Sequence, residues 1–315
     1  MGKSAKQIFR QRLSKEDRQA VRKRKGKLSN LQVSKRVLGR YRNAVALLLA
    51  FWSANACGPT QGVSFDTAVS SYIEAQWEEG DPVYQCDDAL AGLQFYLPLK
   101  GKLVASWKLL KTWHKMEPSL RVLPMHPLLL MGMASLIWKL GHHDVASLCL
   151  VGFDCFLRSG ELYMLERRDI LFEKDKCVLK LRHTKTGSRT GFDEMVICHS
   201  PLATKLLKKA CSRLQPNQKV LRSSPYIFRK LFNSAAEVFG FSDRISVYSL
   251  RRGGATWSFL QSGSMELVLL RGRWQSTTTA RIYLQDATAG LSDLQLSDKL
   301  RDRLRQHAIF LKKVT

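Results

Sequence analysis

Tyr248-Ser249-Leu250-Arg251-Arg252-Gly253-Gly254-Ala255-Thr256 sets two arginines directly before a run of small residues in one helical stretch. Small residues let another element approach the backbone closely, so Arg251 carries its charge into a crowded place. Outward toward the C-terminus lies Leu270-Arg271-Gly272-Arg273-Trp274-Gln275-Ser276, which leads into Thr277-Thr278-Thr279-Ala280-Arg281-Ile282-Tyr283-Leu284. Outward toward the N-terminus, Leu157-Arg158-Ser159-Gly160-Glu161-Leu162 places Arg158 between an apolar helix and the next helix. That is a poor position for a solvated charge, and it calls for an anion. Taken singly, each segment has a plain explanation: Tyr283 beside Ile282 and Leu284 could be a core tyrosine of an amphipathic helix.

The surrounding periodicity predicts two domains. Residues 1–30 are polar and basic without a sustained apolar face, a flexible tail. The cluster from Arg22 to Lys27 reads equally as a nuclear-import or DNA-phosphate patch and as a solvated helix end. From Val33 the apolar spacing is helical, with Arg36, Arg40 and Arg42 interleaved. Further helices are predicted near Ser64–Trp77, capped by Ser64, near Cys86–Leu97 and near Leu103–Trp113, giving an all-helical domain over 31–116. Pro118, Pro124 and Pro127 mark a linker over 117–127. The second domain, 128–290, opens with two apolar helices, about Leu128–Leu140 and Val145–Leu157, the second with Asp144 as its cap. Short β-type runs follow at Ile170–Phe172, Cys177–Arg182 and Glu194–Cys198, the last two flanking the basic turn from Thr184 to Gly191. Helices resume at about Pro201–Leu214, Pro225–Phe239, Tyr248–Gln261, Met265–Leu270 and Thr277–Asp286. Residues 291–315 form a polar C-terminal tail or last helix. The fold class is therefore mainly α with a small antiparallel β-sheet (α+β).

Composition narrows the partners. Lys and Arg total 51 against 26 Asp and Glu, a formal charge of +25 on 315 residues, which points to a polyanion such as nucleic acid. The apolar stretches fall short of the roughly 18 to 20 residues that cross a bilayer, and the N-terminus lacks a secretory apolar core. An intracellular protein without membrane contact is expected. The seven cysteines form an odd number without a C-x-x-C pair, and they read as reduced core residues with no metal site. His142-His143, between two helices, reads as a turn and capping pair.

In their order and spacing the quoted segments resemble the tyrosine recombinases, the phage-integrase-like enzymes that share a catalytic fold with type IB topoisomerases. The resemblance covers about Val33–Ala289. Arg158 with Glu161 looks like the first-arginine motif, Lys185 in Thr184-Lys185-Thr186-Gly187 like the hairpin lysine, and Tyr248-x-x-Arg251 stands in the place of His-x-x-Arg. Gly272–Trp274 stands where the motif ends in His or Trp, and Tyr283 where the nucleophile belongs. The resemblance implies a SAM-like helical core-binding domain and a catalytic domain that clamp opposite faces of double-stranded DNA. It implies a homo-tetramer on DNA, a monomer or weak oligomer without it, and a nuclear address in a eukaryote.

It also implies a chemistry. Tyr283 would attack the scissile phosphate and form a covalent 3′-phosphotyrosine, which conserves the bond energy and needs no ATP, metal or cofactor. Arg158 and Arg251 would hold the non-bridging oxygens, Lys185 would protonate the leaving oxygen, and Trp274 would hydrogen-bond the phosphate through its indole N–H. Glu161 would orient the site, and Arg36, Arg40, Arg42, Lys185 and Arg189 would contact DNA. Tyr248 departs from the pattern. A phenol, with a pKa of about 10, donates a hydrogen bond well but accepts a proton poorly near neutrality, unlike an imidazole near about 6.5. His183 and His199 are candidates to compensate, each with a structural role as the alternative. Three functions therefore stay open: a site-specific recombinase or integrase, a domesticated DNA-binding protein of the same fold without the chemistry, and a relaxing topoisomerase.

Overall fold

The computed structural model describes residues 14–118, 122–182, 184, 193–278, 280–281, 284 and 296–314, with backbone alone at 29–30. It divides into two compact units, Met1–Leu120 and Arg121–Thr315.

The first unit is helical. Helix α1 (Lys15–Lys25) starts at Ser14, whose side chain accepts from the Asp17 N–H, and gathers Arg22, Lys23, Arg24 and Lys25 in its last turn, where cations suit the helix dipole. It buries no residue, so the tail expected from the sequence contains a solvated helix. Helix α2 (Lys35–Asn55) turns Ala44, Leu48 and Trp52 inward at intervals of four, as an amphipathic helix must. It packs against α4 (Tyr84–Tyr96), and α3 (Phe65–Glu78) packs against α5 (Val104–Met116). Gly92 explains how close α4 comes: a Cβ there would meet Val45 Cγ2 at 2.8 Å. Ser64 caps α3 as its sequence predicts. The start of α5 has no cap of its own; the Asp66 carboxylate of α3 accepts from the N–H groups of Ala105 at 2.8 Å and Ser106 at 2.9 Å instead.

The second unit builds its core around α6 (Pro127–Lys139), which touches α7 (His143–Asp154), α10 (Pro225–Glu237) and the last helix, α13 (Asp298–Lys313). Between them come α8 (Ser159–Met164), strands β1 (Ile170–Phe172), β2 (Cys177–Leu181) and β3 (Glu194–Cys198), α9 (Pro201–Ala210), α11 (Tyr248–Ser262) and α12 (Met265–Gly272). The strands form an antiparallel sheet in the order β1-β2-β3, with Ile170 opposite Leu179 and Leu179 opposite Val196. Cys177, Leu179 and Leu181 alternate inward along β2, the period a half-buried strand requires. The expected hairpin tip, with His183, Lys185 and Arg189, lies outside the described residues.

One expectation changes. Asp144 does not cap α7: the helix starts at His143, two residues before Val145, and the Asp144 carboxylate accepts from the Arg222 N–H at 2.9 Å, joining α7 to the chain after α9. Of the two readings of the C-terminal segment, tail or last helix, the helix is found, and it packs into the core. Leu304 and Leu311, a heptad apart, are both buried, and Leu304 sits over Gly132 where a Cβ would come within 2.3 Å. A helix so charged elsewhere shows its narrow apolar stripe only when its partner is known. No helix among the described residues is long and apolar enough to cross a membrane.

The start of α6 is testable. His126 occupies the N-cap with Nδ1 accepting from the Leu128 N–H at 3.1 Å, and burial lowers its pKa below the ordinary histidine value, with Arg301 adding to the shift. The cap needs Nδ1 unprotonated. Its stabilisation is complete above the unfolded value of about 6.5 and is lost as pH falls through the lower folded value. His126→Ala should cost about 1 kcal/mol at neutral pH. In urea unfolding, the difference from wild type should shrink in mild acid; a difference that grows in acid would contradict the cap.

Candidate active site

Arg251 organises the site. Helix α11 buries Ser249 through Thr256, and glycines let it do so: a Cβ at Gly253 would lie 2.2 Å from the Met125 carbonyl oxygen, and one at Gly254 1.9 Å from that of Phe153. The close approach that the sequence predicts for these small residues is therefore real. It carries the Arg251 guanidinium into the interior, where the residue is 2% exposed. Nη1 donates to the carbonyl oxygen of Phe156, and Nη2 to that of Gly272 at 2.7 Å. The guanidinium also lies 4.6 Å from the centre of the Trp274 ring, a cation–π arrangement. One side chain thus ties together the segment leading to Arg158, the end of α12 and the tryptophan.

Glu161 is the second junction. Arg158 immediately precedes α8; its N–H donates to Glu161 Oε2 at 2.8 Å and its Nη1 to Oε1 at 2.9 Å. From the end of α12, Arg273 Nη2 donates to the same Oε2 at 2.9 Å, and its Nη1 reaches Glu194 Oε2 on β3 at 3.4 Å. Burial alone would raise the Glu161 carboxyl, but Arg273, together with the contacts from Arg158, holds it below the ordinary range. Glu161 is therefore ionised and shared by two guanidiniums. Arg158 is the more solvated of the two, 31% exposed against 9%.

Arg158, Glu161, Arg251 and Trp274 are brought together. Tyr248 begins α11 one turn before Arg251, and its side chain is exposed. Lys185, Arg189 and Tyr283 lie outside the described residues; near Tyr283, Ala280 and Leu284 are buried, Leu284 against a cluster with Phe156, Ala255 and Val268. In the first unit Arg36, Arg40 and Arg42 are all exposed along α2. Arg40 forms a bidentate pair with Asp88 of α4, Nε to Oδ2 at 2.7 Å and Nη2 to Oδ1 at 2.5 Å. His199, exposed after β3, donates its backbone N–H to Asp154 Oδ2 at 2.7 Å.

The sequence reading passed over Arg271 and Arg273. Arg273 takes a left-handed conformation, φ 56°, which aims it at Glu161, and Arg271 Nη2 donates to the Asp154 carbonyl oxygen at 2.7 Å. The signal was available as two arginines flanking a glycine at the end of an otherwise apolar helix. The reading also expected no metal-ligating group. Yet the ligand atoms of Asp154, Cys155 and Cys198 lie within 4.8 Å of one another.

No protein-family model matches the chain, and no curated protein matches it significantly. Solved structures do. A lambda integrase tetramer bound to a Holliday junction is 12% identical with a TM-score of 0.58, over 86% of this chain and 76% of its own. A lambda integrase (residues 75–356) dimer bound to a COC′ core site is 12% identical with a TM-score of 0.57, over 82% of this chain and 92% of that one. The XerH site-specific recombinase bound to difH substrate, a pre-cleavage complex, is 15% identical with a TM-score of 0.53, over 92% and 89%. The chain has the tyrosine recombinase/integrase fold.

The Glu161 junction makes a prediction. Glu161→Gln leaves two guanidiniums without their shared counter-charge, and loss of one partner of a buried pair costs about 3–5 kcal/mol. Because the folded carboxyl lies below its ordinary value, this stability is present above about pH 4.5 and is lost as pH falls through the depressed value. Denaturant unfolding should therefore show a large difference from wild type at neutral pH and a small one in acid. Equal stabilities at neutral pH would contradict the shared pair.

Proposed function

We propose that the protein is a site-specific DNA recombinase or integrase that cuts and rejoins strands through a 3′-phosphotyrosine at Tyr283. The observation that carries the reading is that Arg251 and Trp274 meet at one buried junction, joined through Arg273 to the Glu161 junction that holds Arg158, three of the motif positions in a chain of charge +25. The Tyr283 oxygen attacks phosphorus as the bond to the 5′ oxygen breaks, and Lys185 supplies the proton that the leaving oxygen takes. Rejoining is the reverse: the 5′ hydroxyl attacks the phosphotyrosine, and the phenol leaves. Arg158 presents its guanidinium to the phosphate, and the Trp274 indole N–H is a further donor. Arg251 sets the positions of both. The exposed arginines of α2 supply phosphate contacts, and the Arg40–Asp88 pair holds one of them against α4. Assembly as a homo-tetramer on DNA is supported by the likeness to a lambda integrase tetramer bound to a Holliday junction. The basic patch of α1 is consistent with a nuclear address.

Tyr248 supports a second reading, a DNA-binding protein of this fold without the chemistry. A covalent trap separates the two. Nicked duplexes of randomised sequence are incubated with wild type and with Tyr283→Phe in the absence of metal, then resolved under denaturing conditions. The recombinase reading expects an adduct with wild type alone, with DNA affinity unchanged in the variant. Arg158→Ala should slow adduct formation roughly 10²- to 10³-fold, the usual effect of removing one transition-state donor. Binding by both proteins with no adduct from either favours the second reading. If about six to ten phosphates are contacted, affinity should fall by about 10³ to 10⁵ between 50 and 200 mM salt, measured by fluorescence anisotropy. An affinity nearly independent of salt would contradict both readings.

A further inference from the structure

Next to the arginine junction, three cysteines that are distant in sequence meet. Cys155 follows α7, Cys177 opens β2 and Cys198 closes β3. The strand register sets Cys177 directly opposite Cys198, and both side chains are fully buried. Cys155 arrives from the end of α7 with Asp154 beside it, and the ligand atoms of Asp154, Cys155 and Cys198 all lie within 4.8 Å of one another. Cys198 is the centre of the group. Its thiol interacts with those of Cys155 and Cys177, which holds it below the ordinary thiol range, while contact with Cys198 and burial push Cys177 up.

We propose that Asp154, Cys155, Cys177 and Cys198 form a structural site for one thiophilic divalent cation, zinc in the first place. Three sulfurs and a carboxylate are the number and kind of ligands that a closed tetrahedral zinc site uses. With Zn–S bonds of about 2.3 Å the ligand atoms of a tetrahedron stand about 3.8 Å apart. Asp154, Cys155 and Cys198 stand within 4.8 Å of one another, close to that spacing, and Cys177 joins them from its register position opposite Cys198. Each thiol that binds releases its proton to solvent; the dication offsets two of the four resulting ligand charges, and the Arg271 guanidinium beside Asp154 offsets a third. Support around the ligands is in place. The His199 N–H donates to Asp154 Oδ2 at 2.7 Å, Arg271 Nη2 stands 3.6 Å from Oδ1, and Thr204 Oγ1 donates to Cys177 Sγ at 3.8 Å. A cleft of about 240 Å³, lined by Cys155, Val196, His199 and Arg271 among others, offers the entry path. The ion would fix the end of α7, four residues before Arg158, to the edge of the sheet. The proposal does not depend on whether the chain cuts DNA.

The test uses the full chain, purified reduced and stripped with chelator, then titrated with Co²⁺ and next with Zn²⁺. The expected result is one Co²⁺ per chain with thiolate-to-cobalt charge transfer and the intense visible bands of a tetrahedral ion, all abolished by Zn²⁺. Cys198→Ser should lower the affinity more than about 100-fold, beyond what changes around the ligands usually cost. Cys211→Ser, which removes a buried thiol outside the group, should leave the titration unchanged. A check on wild type alone guards against a variant that fails to fold: Zn²⁺ should slow native-state alkylation of Cys155, Cys177 and Cys198, mapped by mass spectrometry, and leave Cys57 as before. Absence of cobalt bands in reduced wild type would overturn the proposal. So would equal affinity in a folded Cys198→Ser, or a Cys177–Cys198 disulfide as the stable state of the purified chain.

Discussion

A buried guanidinium held by backbone carbonyls governs the second unit. Removing a cation from water costs several kcal/mol unless its donors are satisfied, and Arg251 meets that demand with backbone carbonyls. Gly272 is the last residue of α12, so its carbonyl has no partner inside its own helix and carries the negative end of the dipole, while Phe156 lies two residues past the end of α7. The chain leaves both places through left-handed residues, Phe156 at φ 48° and Arg273 at φ 56°. Without Gly253 and Gly254, α11 could not come near enough for Arg251 to reach either carbonyl.

Electrostatics follow from that geometry. Arg158, Arg251, Arg271 and Arg273 crowd one region where Glu161, Asp154 and Glu194 are the acids that pair with them. Glu161 is engaged twice, so its one charge is divided between two cations. Among the described residues these four guanidiniums outnumber the three carboxylates by one. On the proposed reading, the junction that holds the fold is also the place where a phosphate diester adds negative charge.

Motif order was legible in the sequence because the arginines, the tryptophan and the tyrosine stand at intervals that do not depend on knowing their contacts. So were the strands, whose alternation along β2 appears in Cys177, Leu179 and Leu181. The partners of Arg251 were not legible: a carbonyl oxygen has no letter, and Phe156 is 95 residues away. Asp144 misled because an acidic residue at a helix start looks like a cap, whereas its acceptor serves the Arg222 N–H across a tertiary contact. The cysteines were legible as reduced and mostly buried, and all seven are free with six of them buried. Their grouping was not legible, because strand register brings Cys177 to Cys198 and a helix end adds Cys155, and no short spacing encodes either.

At position 248 the scaffold and the chemistry separate. Arg251 is held from both sides, so the start of α11 is fixed, and residue 248 occupies one place in space whichever side chain it carries. Replacing an imidazole with a phenol there changes the available chemistry and leaves the scaffold alone. A phenol still donates to a phosphate oxygen, so phosphate binding can survive where proton acceptance is weakened. On the proposed reading, the burden of taking the proton from Tyr283 then shifts to water or to another base. Affinity for DNA and the rate of cleavage are separable properties in such a site. A chain that lost the second would keep the first, because the arginine junction is maintained by the fold itself and does not require catalysis to preserve it.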